Sequence, residues 1–128
     1  MTPSEVVNAF ISAIERKDIA GAAALLAEDV SYENMPTNPI TGKAATVATL
    51  EAFLGPASEV DWPIKRQLAA GNTVVNERLD RFKIGDGWLE LPVAGVFEVN
   101  EAGLIALWRD YFDMPTYMSQ IEALTSKR

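Results

Sequence analysis

Asp110 lies between Trp108 and Phe112 on one face of the run Leu104 to Asp113, LIALWRDYFD, when that run is read at the two-residue period of a strand. A carboxylate moved from water into such surroundings loses several kcal/mol unless it is partnered. An acid there is either half of a structural pair or a working acid or base. In the stretch Thr73 to Ile84, the row Val74, Asn76, Arg78, Asp80, Phe82 and Ile84 is the more apolar one, which turns Arg78 and Asp80 inward. Taken alone, Arg-x-Asp on a strand describes a ladder of solvated charges. A second inward acid at position 110 changes that weighing, because it needs a cation and Arg78 can supply one if the two strands lie near each other. One forked guanidinium can bridge two carboxylates and fix both in space. Two acids around one cation need not share a protonation state: burial and repulsion can raise one while the other stays ionised. That division supplies an acid and a base. Tyr32 and Asn34, two residues apart on one face of a short strand, add a hydroxyl and an amide able to hold a water.

What the chain lacks narrows the chemistry further. It has no cysteine, which excludes disulfides, a thiolate nucleophile and thiolate metal sites, and no histidine, which excludes Ser-His-Asp and Cys-His arrangements and His-ligated metals. Acid–base work must therefore run on Asp, Glu, Tyr or Lys. The net charge of −7, from 11 basic and 18 acidic residues, opposes binding to nucleic acid or to an anionic membrane. The absence of a signal pattern and of any long apolar run places the chain in the cytoplasm as an expectation. At 128 residues, 48% hydrophobic and 23% charged, it reads as a single soluble domain spanning 1–128.

The elements that must hold these groups can be taken in order. Thr2-Pro3-Ser4-Glu5 starts a helix with a capping box, and Val7, Phe10, Ile11 and Ile14 carry its buried stripe to about Lys17. Asp18 caps a shorter helix, Ile19 to Ala27. Val30 to Met35 is a short strand and Pro36 to Gly42 a loop, followed by a helix from Lys43 to Leu54 that Gly55-Pro56 ends. Four longer strands follow, about Ser58 to Ala70, Thr73 to Ile84, Trp88 to Val99 and Leu104 to Asp113, joined by Gly71-Asn72, Gly85-Asp86-Gly87 and Asn100 to Gly103. In the third, Leu89, Leu91, Val93, Phe97 and Val99 share one face. Met114 to Leu124 is a terminal helix or turn and Thr125 to Arg128 a polar tail. Helices followed by a curved antiparallel meander form an α+β layout in which the sheet wraps a helix and leaves an apolar pocket on its concave side. Leu91, Val93, Trp108 and Phe112 are the expected pocket walls. Trp62 and Trp88 read as packing or interface aromatics, and Glu33, Arg109, Tyr111 and Asp113 fall out of phase with the pocket.

Tyr32-Glu33-Asn34-Met35-Pro36, Glu77-Arg78-Leu79-Asp80, Gly95-Val96-Phe97 and Trp108 to Asp113 together resemble the matching segments of the limonene-1,2-epoxide hydrolases, in the same order from about Tyr32 to Asp113. The resemblance implies an NTF2-like (SnoaL-like) cone, a curved mixed or antiparallel sheet around N-terminal helices. It also implies a one-step hydration of a small apolar or terpenoid-like epoxide to a vicinal diol, with no cofactor, no metal and no covalent intermediate. By the same resemblance Asp80 matches the acid that protonates the epoxide oxygen, Asp110 the base that takes a proton from water, Arg78 the bridge between them, and Tyr32 and Asn34 the groups that orient the water. Family members are commonly homodimers, and an outer sheet face carrying Trp88 and Tyr111 would suit one. Relative to the family's pattern the chain starts close to its first helix, and the turn at Asn100 to Gly103 is longer by a residue. A ketosteroid-isomerase-like or polyketide-cyclase-like enzyme of the same fold, or a module that only binds an apolar ligand, are the competing expectations. The acid-Arg-base set favours hydrolysis, since an isomerase needs one base and an oxyanion partner.

Overall fold

The computed structural model describes residues 1–126. Thr2 opens the first helix: its hydroxyl accepts from the Glu5 N–H at 3.2 Å while the Glu5 carboxylate accepts from the Thr2 N–H at 2.7 Å. Helix α1 (Pro3–Glu15) then buries Val6, Val7, Phe10, Ile11 and Ile14. It stops two residues short of the expected end, with Lys17 in the left-handed region at φ 56°. Asp18 caps α2 (Ile19–Ala23) through the Gly21 N–H. This helix is shorter than the expected Ile19 to Ala27, because Leu26 leaves it to pair with Ile105. Strand β1 (Leu26–Met35) accordingly begins before Val30 and carries an irregularity between Leu26 and Ser31.

The Pro36 to Gly42 loop contains a two-residue strand, β2 (Ile40–Thr41), antiparallel to β1. Helix α3 (Lys43–Leu54) has the bounds expected from its pattern. The run Ser58 to Ala70 is not one strand: it divides at Trp62-Pro63 into β3 (Glu59–Asp61) and β4 (Ile64–Ala70). Proline has no N–H to give to a ladder, so the break falls there. Strands β5 (Thr73–Ile84), β6 (Gly87–Val99) and β7 (Ile105–Tyr111) follow, and α4 (Met114–Thr125), capped by Asp113, closes the described chain. Gly71 and Gly85, at φ 59° and 62°, make the two tight hairpins that a side chain would strain. Of the expected polar tail, residues 127 and 128 lie outside the described residues.

The strands form one sheet in the order β2-β1-β7-β6-β5-β3, with β4 also paired to β5. The sheet is mixed rather than a purely antiparallel meander. β1, which follows α2 and precedes α3 in the chain, lies parallel to β7, while β5, β6 and β7 form the antiparallel part. Side chains alternate strictly along β5 and β6: Val74, Asn76, Arg78, Asp80 and Phe82 are buried on one, Leu89, Leu91, Val93, Phe97 and Val99 on the other. Helix α1 packs over this inner face, with Phe10 edge-on to Phe97 at 6.4 Å and to Trp108 at 4.9 Å. Helix α4 covers the half of β6 that β7 leaves unpaired. There Gln120 bonds both the N–H (2.7 Å) and the C=O (2.8 Å) of Glu90, so its carboxamide takes the place of a neighbouring strand. No helix among the described residues is long and apolar enough to cross a membrane.

Candidate active site

The register places four residues in one line across four strands. Asn34 on β1 pairs with Asp110 on β7, Asp110 with Gly95 on β6, and Gly95 with Asn76 on β5. Arg78 and Asp80 continue the inward row of β5. Arg78, 1% exposed, lies over the glycine and reaches both acids. Its Nε and Nη2 donate to Oδ1 and Oδ2 of Asp80 at 2.9 and 3.0 Å, Nη2 also donates to Asp110 Oδ2 at 3.0 Å, and Nη1 donates to Asn76 Oδ1 at 2.9 Å. A β-carbon at position 95 would collide with Nη1 and stand 2.8 Å from Asp110 Oδ1. The glycine is what lets the guanidinium cross β6. The rings of Trp62 and Phe97 flank the cation at 5.1 and 6.0 Å.

The second oxygen of Asp110 accepts from the Trp108 indole N–H at 3.0 Å, two residues back on the same face. Asn34 Nδ2 donates to the Tyr32 hydroxyl at 2.8 Å. Burial pushes the Tyr32 phenol up from its ordinary range and nearby Asp110 adds to this, so the hydroxyl keeps its proton. Burial also pushes Asp80 up to about 6; Arg78 opposes that rise by charge and hydrogen bonding, and Asp110 and Glu15 reinforce it. For Arg78, burial works against the charge, but Asp110 and Asp80 outweigh it and raise the guanidinium above its usual value. One cation thus stands between two buried acids, and one proton on Asp80 leaves the trio electrically balanced.

A cavity of about 590 Å³ opens onto this cluster. Asp80, Asp110, Tyr32 and Asn34 line it together with Leu91, Val93 and Phe112, while Arg78 lies beneath the two acids. Trp108 is not in the wall where it was expected. It is fully buried behind Tyr32, stacked on that ring at 4.0 Å, and meets the site only through its N–H. Trp62 is a packing aromatic as expected, buried in the core, and it also borders the cavity, where it flanks Arg78 and meets Phe82 edge-on at 5.8 Å. Trp88 lies under the Arg81 guanidinium at 4.2 Å. Glu33 and Arg109 pair with each other at 3.0 Å, away from the cluster.

Asn76, Gly95 and the far walls were missed as site features. Asn76 stood in the inward row of β5 between Val74 and Arg78, a usable signal, whereas the wall residues Phe53 of α3 and Met114, Tyr117 and Ile121 of α4 sit on helices whose packing partners the pattern does not name. Among the described residues no three metal-ligating side chains converge.

Comparison with known proteins agrees with this geometry. The limonene-1,2-epoxide hydrolase catalytic domain family matches residues 1–123. Epoxide hydrolase EphG of Mycobacterium tuberculosis is 38% identical over 108 residues, covering 84% of this chain and 71% of that protein. The solved structure of an M. tuberculosis LEH-like epoxide hydrolase superposes with a TM-score of 0.81 at 34% identity, over 95% of this chain and 90% of the other. An NTF2-like protein of unknown function from Burkholderia pseudomallei K96243 superposes at 0.79 over 97% of both chains with 19% identity, a likeness of fold alone. The fold is therefore the α+β NTF2-like one with a mixed curved sheet, and the chain belongs to the limonene-1,2-epoxide hydrolase family as an enzyme of that type.

Proposed function

We propose that the protein adds water to a small apolar or terpenoid-like epoxide in one step, giving a vicinal diol. Asp80 protonates the oxirane oxygen as its C–O bond breaks, and Asp110 takes a proton from the water whose oxygen forms the new C–O bond. Arg78 holds both carboxylates, and Tyr32 and Asn34 seat the water beside Asp110. The proton left on Asp110 returns to Asp80 through solvent, which resets the site. The observation that carries this reading is the single buried guanidinium bonded to two carboxylates that face one cavity. A neutral acid beside the oxirane and an anionic base beside water are what concerted opening requires.

The walls favour an apolar substrate. Three threonines line the cavity, and each spends its hydroxyl on a carbonyl of its own segment: Thr37 on Asn34, Thr49 on Ala45 and Thr125 on Ile121. They offer methyl groups rather than donors. A homodimer through the outer sheet face is part of the same reading, supported by Leu68, Val75 and Tyr111, which are 78%, 43% and 43% exposed.

Single turnover of limonene oxide and cyclohexene oxide in heavy-oxygen water tests the chemistry. Direct attack by water puts the label in the first diol formed. An unlabelled first diol, with label appearing only in later turnovers, would mean that a protein carboxylate attacked and would overturn the one-step reading.

A further inference from the structure

Asn76 is a buried polar residue, 2% exposed, to which the proposed reaction gives no part. Its surroundings fix its orientation without ambiguity. Arg78 Nη1 can only donate, so the atom facing it at 2.9 Å is the amide oxygen. The Asn76 NH₂ then points away and donates to Gln67 Oε1 at 3.0 Å, and the Gln67 NH₂ donates to Asn8 Oδ1 on α1 at 2.9 Å. Three side-chain amides thus run from the guanidinium to the exposed start of the chain, each with its direction set by the one before.

We propose that Asn76 is a positioning residue: it anchors the Nη1 end of Arg78 so that the guanidinium engages Asp110 through Nη2 alone. This inference rests on the epoxide-hydration reading above. Without Asn76 an acceptor open to Nη1 is Asp110 Oδ1, because both atoms border the space that a β-carbon on Gly95 would fill. A guanidinium swung that way would bind the base with both ends, loosen its two-point hold on Asp80, and compete with Trp108 for Oδ1. A neutral amide suits this post for a second reason. It supplies an acceptor without adding a third acid to the one cation, so the division of protons between Asp80 and Asp110 is left undisturbed.

The test uses Asn76→Leu, similar in size but with no acceptor, and Asn76→Thr, which keeps an oxygen on the strand. Each is followed by steady-state kinetics and by carbon-13 NMR titration of the Asp80 carboxyl. For the leucine variant we expect kcat to fall at least ~10-fold with KM held within about twofold, as for a misplaced catalytic group. The Asp80 titration should move above that of the wild type as Arg78 loosens its grip. The threonine variant should recover at least about threefold of the loss, since it restores part of the hydrogen bonding. Gln67→Leu removes the acceptor beneath Asn76 on a half-buried residue, and should shift the same two readouts in the same direction by less. It decides the matter if Asn76→Leu does not fold. An unmoved Asp80 titration together with wild-type kcat in Asn76→Leu, or in Gln67→Leu and Asn76→Thr where the first is unfolded, would overturn the proposal. A threonine variant no better than leucine would overturn it too. The NMR titration needs no substrate, so a wild-type protein inactive on epoxides would refute the hydration reading without touching this measurement.

Discussion

Replacing Asp80 with Asn separates a protonated acid from an ordinary ion-pair partner, because the two have opposite pH signatures. Asp80 is raised in the folded protein from 3.8 to about 6, first by burial. Between those values the native state holds a proton that the unfolded chain has already released, so this group's stabilising contribution is complete below about pH 4 and is lost as pH rises through about 6. At ~1.36 kcal/mol for each pH unit between the two values, the loss amounts to ~3 kcal/mol. Asp80→Asn has nothing to titrate. Apart from a constant offset for the altered bonds to Arg78, the variant should therefore gain ~3 kcal/mol relative to the wild type as pH rises from about 4 to about 7. Urea unfolding of both proteins across that range measures the difference directly. The same proton governs catalysis. Asp80→Asn should lose about 10²- to 10⁴-fold in kcat while remaining folded, and wild-type kcat/KM should decline as pH rises through about 6. A flat difference in stability would refute the reasoning. So would a variant that becomes relatively weaker with rising pH, which is how a carboxylate held chiefly as the ionised partner of Arg78 would behave.

Gly95→Ala should cut activity about 10²-fold, because the added methyl collides with Arg78 and crowds Asp110; kinetics beside a folded circular-dichroism spectrum check this, and wild-type turnover would contradict it. Arg78→Leu leaves two buried acids with no cation and should destabilise the fold by about 3–5 kcal/mol at neutral pH. In urea unfolding that penalty should shrink toward pH 4, where protonation removes the repulsion. Trp108→Phe keeps the stack on Tyr32 but deletes the N–H that Asp110 accepts, and should slow turnover by about tenfold for the loss of ~1.5 kcal/mol of charge-assisted hydrogen bonding. Unchanged kcat in that variant would show that Asp110 is held adequately by Arg78 alone.

The inward direction of Arg78, Asp80 and Asp110 was legible because strands alternate strictly, the row holding Arg78 and Asp80 also holds Val74, Phe82 and Ile84, and Asp110 stands between Trp108 and Phe112. The capping box at Thr2 and the bounds of α3 were legible for an equally local reason, since caps and glycine-proline stops act within a turn of where they stand. What failed depended on partners far along the chain. Ile105 takes Leu26 from the second helix, and Pro63 divides a run that reads as one continuous strand. Trp108 shares a phase with Asp110, yet phase says nothing of depth: Tyr32 stands between Trp108 and the cavity, and that order comes only from the pairing of β1 with β7. The amide run from Asn76 to Asn8 joins three elements and leaves no trace in any one of them.

The same dependence on pairing explains why the cluster has the composition it does. β5 and β7 are not neighbours; β6 lies between them, so at about 4.8 Å per strand the strands carrying Asp80 and Asp110 are roughly 9.6 Å apart, and Asp80 stands farther along β5 than Asn76, the residue across from Asp110. Two short carboxylates cannot close that distance on each other, and a lysine could offer only a point charge to both. An arginine on β5 has the length to cross the intervening strand and a planar fork that bonds one acid at two points while still reaching the other. It can cross only where β6 presents no side chain, and the register sets Gly95 directly between Asn76 and Asp110. The spacing of the acid and the base is therefore a property of the sheet as much as of the acids themselves. It is set by the strand interval, by the reach of Arg78 and by the missing methyl at Gly95.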